Sequence, residues 1–154
     1  MTMPISKLSP AAVVLCVLAW AAPTAQAQQA PAPAVQASGR LTTHVLDTLS
    51  GKPAAGVRIS FEAPQGEGWR VIKTVTTNAD GRTDQPLLAG EAMAAGRYRI
   101  VFHVGEHFAR LGVPLADPPF LDRVPVEFAV ADPKGNYHVP LLVTPWSYAT
   151  YRGS

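Results

Sequence analysis

The chain has 154 residues, 47% of them hydrophobic, with 13 Lys and Arg set against 11 Asp and Glu. No Lys/Arg cluster points to nucleic acid or a membrane surface, neither of which is expected as a partner, and a formal charge of +2 is otherwise uninformative about partners. Cys16 is the only cysteine, so no intrachain disulfide forms and stability must come from a packed core or from assembly.

Residues 1–7 carry one positive charge, Lys7, and residues 8–22 (LSPAAVVLCVLAWAA) are apolar and uncharged. Ala25-Gln26-Ala27 then supplies a small-x-small signature. This order predicts a secretory signal peptide over residues 1–27 and a mature start at Gln28. An uncleaved anchor is the alternative, but a bilayer core takes about 20 apolar residues, and Pro10 and Pro23 bracket this run. Cys16 follows Val14-Leu15 rather than small residues, so lipidation is not expected. No membrane association is expected after cleavage. Residues 28–38 (QQAPAPAVQAS) read as an extended tether, and residues 39–154 as one small domain. Because Lys7 lies in the leader, the mature chain carries about +1.

From Gly39 the pattern has period two. Leu41, Thr43 and Val45 share one face, and Thr42, His44 and Leu46 share the other. Residues 48–53 form a turn cluster, after which Val57, Ile59 and Phe61 alternate with Arg58, Ser60 and Glu62. A turn at residues 64–68 leads to a third strand over residues 69–77, closed by Asn78-Ala79-Asp80-Gly81. Residues 96–103 (GRYRIVFH) place Tyr98, Ile100 and Phe102 on one face; residues 104–110 lack alternation and predict a short helix. Two more alternating strands carry Val124, Val126, Phe128 and Val130, then Tyr137, Val139, Leu141 and Val143. Pro125 and Pro140 cannot donate to a ladder, so each predicts an edge, a bulge or a non-bonded position. A last strand is expected over residues 146–152. About seven short strands with turns between them predict an all-β, two-sheet antiparallel β-sandwich with one short helix.

Four histidines are candidates for chemistry: His44, His103, His107 and His138. His103 and His107 have the i, i+4 spacing of some metal ligands, yet no third ligand accompanies them, so a metal site is not expected. His44 and His138 each lie mid-strand, opposite an apolar stripe. Two imidazoles meeting on an outer sheet face would supply a general base near neutral pH, although spacing alone does not bring them together. No nucleophile elbow, Ser-His-Asp pattern or phosphate-binding glycine loop points elsewhere. The aromatic-rich end, Trp146, Tyr148 and Tyr151, leads into Arg152-Gly153-Ser154 with almost no slack.

Four motifs carry a resemblance. Leu41-Thr42-Thr43-His44-Val45-Leu46-Asp47 with Gly51-Lys52-Pro53-Ala54-Ala55-Gly56-Val57 resembles the opening of the transthyretin-like family. Thr77-Asn78-Ala79-Asp80-Gly81-Arg82 and Tyr137-His138-Val139-Pro140-Leu141-Leu142 resemble later segments of it. The closing Tyr151-Arg152-Gly153-Ser154 is the tetrapeptide that separates its 5-hydroxyisourate hydrolases from its hormone carriers. The resemblance implies a transthyretin-like sandwich assembled as a homotetramer. It also implies hydrolysis of 5-hydroxyisourate, a product of urate oxidation, to 2-oxo-4-hydroxy-4-carboxy-5-ureidoimidazoline. His44, Arg82, His138 and Ser154 are then the expected catalytic residues. His44 and Arg82, with Tyr151, Arg152 and Gly153, would bind substrate, and no metal or cofactor is implied. The leader would make this a periplasmic enzyme of purine catabolism. The rival expectation is a carrier that binds a small aromatic ligand in the tetramer channel without turnover.

Overall fold

The computed structural model describes residues 39–153. The leader at residues 1–27, the tether at residues 28–38 and Ser154 lie outside the described residues. The strands are β1 (Arg40–Asp47), β2 (Lys52–Pro53), β3 (Arg58–Gln65), β4 (Gly68–Thr76), β5 (Leu88–Ala89), β6 (Gly96–His103), β7 (Arg123–Val130), β8 (Asn136–Val143) and β9 (Tyr148–Thr150). Among the described residues one α-helix, α1 (Val104–Arg110), follows β6, and a single 3-10 turn occupies Gly90–Ala92. Among the described residues no helix is long and apolar enough to cross a membrane.

Alternation builds two sheets, ordered β2-β1-β8-β9 and β4-β3-β6-β7. In β1 the buried side chains are Leu41, Thr43, Val45 and Asp47, while Thr42, His44 and Leu46 are half-buried on the opposite face. Leu41, Val45 and Leu141 from the first sheet meet Ile59, Phe61, Ile100 and Phe102 from the second, all fully buried. Burying a side chain of this size stabilises the fold by about 1.5–3 kcal/mol. Phe61 and Tyr98 stack with ring centroids 5.4 Å apart. The inward Thr43 hydroxyl donates to the Val139 carbonyl at 2.7 Å, which makes its burial tolerable.

Three features differ from the simplest sequence expectation. The pairing of β1 with β8 is parallel, joining residues such as Thr42 and His138 that are far apart in the chain. The strands β2 and β5 have two residues each, too few for a periodic signal, and both pair with β1. The last strand is shorter than expected because Thr144 turns the chain before it. Its Oγ1 accepts from the Trp146 and Ser147 amides at 3.2 and 3.0 Å.

The prolines sit where their missing N–H is tolerated. Pro125 lies on β7, an edge strand. Pro140 falls between the β8–β9 ladder, which ends at Leu141 opposite Thr150, and an isolated bridge of His138 with Gly153. Both pairs share one register, so Pro140 stands opposite Tyr151, where it has no amide proton to give.

Candidate active site

The parallel pairing of β1 and β8 brings the two mid-strand histidines together. Thr42 is opposite His138 and His44 is opposite Pro140, so the histidines are offset by two residues on adjacent strands. That is roughly 6.6 Å along the strands and about 4.8 Å across them, with both side chains on the same outer face.

Arg82 reaches this place along the edge of β1 that faces away from β8. The chain between β4 and β5 runs beside that edge and forms an antiparallel bridge of Arg82 with His44. The bridge lies between the positions where β2 and β5 pair with β1. The Val45 amide donates to the Gly81 carbonyl at 2.8 Å. Gly81 has φ +70°, and a Cβ there would lie 2.4 Å from the Val45 carbonyl oxygen, so this turn requires glycine. Asn78 closes the turn: its Oδ1 accepts from the Asp80 and Arg82 amides at 3.0 and 3.1 Å. Its own amide donates to the Arg82 carbonyl at 2.8 Å. Arg82 is exposed and makes no ion pair among the described residues, which leaves its guanidinium free for a ligand.

The carboxyl-terminal segment closes the other side of His138. The Gly153 amide donates to the His138 carbonyl at 2.8 Å. A Cβ on Gly153 would lie 2.9 Å from His138 Cδ2, so the backbone lies directly against the imidazole edge. Arg152 places its guanidinium over the Tyr137 ring, 4.9 Å from the centroid. Tyr151 and Arg152 also line a cavity of about 220 Å³ with Val126, Phe128, Tyr137 and Val139, on the face of β8 opposite His138; His44, Arg82 and His138 do not line it. Ser154, one peptide bond beyond Gly153, lies outside the described residues.

Electrostatics favour neutral imidazoles. Burial lowers the His44 pKa from its usual 6.5, the Arg82 charge lowers it further, and the Asp80 backbone opposes the shift. Burial also lowers His138, followed by the charges of Arg82 and His44, against a hydrogen bond at Thr42. A neutral pair beside a guanidinium can accept a proton from water while the cation holds an electron-rich oxygen.

His103 and His107 take separate partners elsewhere. His103 Nε2 lies 3.1 Å from Ser60 Oγ, and Arg110 Nη2 donates to His107 Nδ1 at 3.1 Å. Sequence reasoning missed Thr42, whose Oγ1 is 2.9 Å from His138 Nδ1. Its position two residues before His44 puts it on the same face, which was a usable signal.

A model of the HIUase/Transthyretin family matches residues 41–153. The chain is similar to 5-hydroxyisourate hydrolase 2 of Rhizobium meliloti (strain 1021), 53% identical over 117 residues, covering 76% of this chain and 98% of that protein. Among solved structures it resembles an (S)-allantoin synthase with TM-score 0.72 and 43% identity, covering 77% of this chain. The match spans 45% of that longer protein. It also resembles the 5-hydroxyisourate hydrolase of Klebsiella pneumoniae, with TM-score 0.61 and 32% identity over 75% of this chain and 94% of that one.

Proposed function

The chain belongs to the HIUase/transthyretin family, and from that premise we propose that it hydrolyses 5-hydroxyisourate to 2-oxo-4-hydroxy-4-carboxy-5-ureidoimidazoline in urate degradation. The observation that carries this reading is the grouping of His44, Arg82 and His138 on one sheet face by two neighbouring strands and one bridge.

Chemistry follows from the groups present. A neutral imidazole of the His44/His138 pair takes a proton from water as the water oxygen attacks a ring carbonyl carbon. The adjacent ring C–N bond then breaks, and the proton passes to the leaving nitrogen. Arg82 holds the planar ring through oxygens that gain charge in this step, because its guanidinium presents paired donors. Ser154 hydrogen-bonds the substrate or orders the water, and Tyr151 and Gly153 bound the site, while Arg152 lies over Tyr137 on the opposite face of β8. General-base assistance typically supplies about 10²–10⁴-fold. That is sufficient to matter for an unstable substrate.

We further propose that the working protein starts at Gln28, is exported to the periplasm and assembles as a homotetramer. The order of segments in residues 1–27 supports export. The half-buried outer face bearing Thr42, His44 and Leu46 supports assembly. Amino-terminal sequencing of protein recovered from the periplasm tests the start and the export, and its mass in solution tests the assembly.

The activity is tested by the ultraviolet decay of freshly generated 5-hydroxyisourate with protein beginning at Gln28. Acceleration with turnover supports the hydrolase. Saturable binding without turnover identifies a carrier and overturns it.

A further inference from the structure

We propose that Thr42 is a positioning residue that holds His138 in the tautomer with Nδ1 protonated, so that Nε2 is the proton acceptor of the reaction. This rests on the hydrolase reading above and adds to it which histidine nitrogen does the work.

The imidazole of His138 is gripped on both edges. Thr42 lies directly opposite His138 across the parallel β1–β8 ladder, and its Oγ1 is 2.9 Å from Nδ1. On the other edge, the Gly153 backbone lies against Cδ2 so closely that a Cβ there would come within 2.9 Å. With Nδ1 turned to β1 and Cδ2 turned to the tail, the ring has one nitrogen left for substrate or water, and that is Nε2.

The direction of the Thr42 hydrogen bond then sets the tautomer. A threonine hydroxyl has one proton and two lone pairs. The Tyr137 carbonyl stands 3.5 Å from Oγ1, within reach of that proton. With the hydroxyl directed there, Oγ1 offers a lone pair to Nδ1 at 2.9 Å, and that ring nitrogen carries the hydrogen. In a neutral imidazole a protonated Nδ1 leaves the lone pair on Nε2. His44 is arranged differently: its Nε2 is buried with no hydrogen-bond partner among the described residues. These two environments distinguish two chemically identical side chains: among the described residues, His138 has a side-chain partner on its ring and His44 has none.

The remaining charged and titratable neighbours are few. Arg82 on the β4–β5 connection and His44 on β1 face the His138 ring, and both disfavour its protonation. From the tail, Arg152 lies over Tyr137 on the neighbouring residue. None of them contacts Nδ1, so Thr42 alone controls that nitrogen among the described residues.

The test uses Thr42→Val, which keeps the shape and removes the hydroxyl, beside Thr42→Ser, which keeps it. We expect kcat of Thr42→Val to fall about 10- to 100-fold, the range seen when an orienting partner of a functional histidine is lost. KM should stay within about twofold, and the acid limb of kcat/KM should move to lower pH, because the imidazolium has lost an acceptor. Thr42→Ser should recover kcat to within about threefold of wild type. A Thr42→Val protein with wild-type kcat and an unmoved acid limb overturns the proposal, while an inactive His138→Ala in the same series shows that the hydrolase reading survives. Nitrogen-15 spectra of the full protein at alkaline pH, where the ring is neutral, decide the tautomer without substrate. Protonated Nδ1 at His138 in wild type is the expected result, and protonated Nε2 overturns the proposal even if Thr42→Val fails to fold.

Discussion

Arg82 stands opposite His44 across an isolated antiparallel bridge on the edge of β1 that faces away from β8. Backbone holds Arg82 there, and among the described residues its guanidinium makes no ion pair. Asn78 secures this bridge through hydrogen bonds to the Asp80 and Arg82 amides. Replacing Asn78 by Ala leaves those amides without their acceptor, at about 0.5–1.5 kcal/mol for each bond. We expect stability to fall by about 1–3 kcal/mol and kcat/KM by about tenfold or more, since small misplacements of a binding group are amplified in rate. Denaturant melts and steady-state kinetics on Asn78→Ala check both; unchanged kinetics would show that the turn does not position Arg82.

The Gly153 backbone leaves no room for a methyl group beside His138. Gly153→Ala must therefore push the imidazole off its position or detach the tail. Gly153 is half-buried and lies outside the hydrophobic core, so the melting temperature should hold. Activity should fall about tenfold or more. Retained activity in a folded Gly153→Ala protein would contradict the contact.

The pH dependence of activity follows from the direction of two shifts. Burial and Arg82 lower His44, and burial, Arg82 and His44 lower His138. Both rings are therefore neutral at pH 7, and kcat/KM should stay level from pH 8 to below 6.5 before falling on the acid side. Arg82→Gln removes a lowering charge, so its residual activity should lose its acid limb at higher pH than wild type. A wild-type acid limb above 6.5, or one that ignores Arg82, contradicts the electrostatic account.

Stability should respond to acid in the same sense. All four histidines titrate lower in the folded protein than their usual 6.5. Burial is the leading cause in each, followed by Arg82 for His44 and His138, Arg58 for His103 and Arg110 for His107. As pH falls below about 6.5 the unfolded chain takes up protons that the folded chain refuses, and stability is lost until the folded values are passed. Above pH 7.5 both states are neutral and no change from histidine is expected. Urea midpoints at pH 7.5 and 5.5 test this, with the lower midpoint expected at pH 5.5; an equal or higher value there would contradict it.

Much of this molecule is legible in its sequence, for identifiable reasons. The alternation of Leu41, Thr43 and Val45, of Tyr98, Ile100 and Phe102, and of Tyr137, Val139 and Leu141 reports one buried face in each strand. The loss of alternation after His103 marks α1. What alternation does not report is which strands are neighbours. His44 and His138 meet only because β1 and β8 pair in parallel, and Arg82 joins them through one bridge in a segment without period. Family resemblance had to supply that grouping. Thr42 was on view beside His44, but its partner is 96 residues away, and no local pattern announces such a contact.

The central claim is that His44, Arg82 and His138 form one hydrolytic site. The most direct measurement is the initial rate of 5-hydroxyisourate decay with wild type and with His44→Ala, Arg82→Ala and His138→Ala, each shown to be folded. Wild type should accelerate the decay, and each variant should lose most of that acceleration, His138→Ala down to the spontaneous rate. Wild-type protein that leaves the decay unchanged, or a folded His138→Ala that matches wild type, would contradict it.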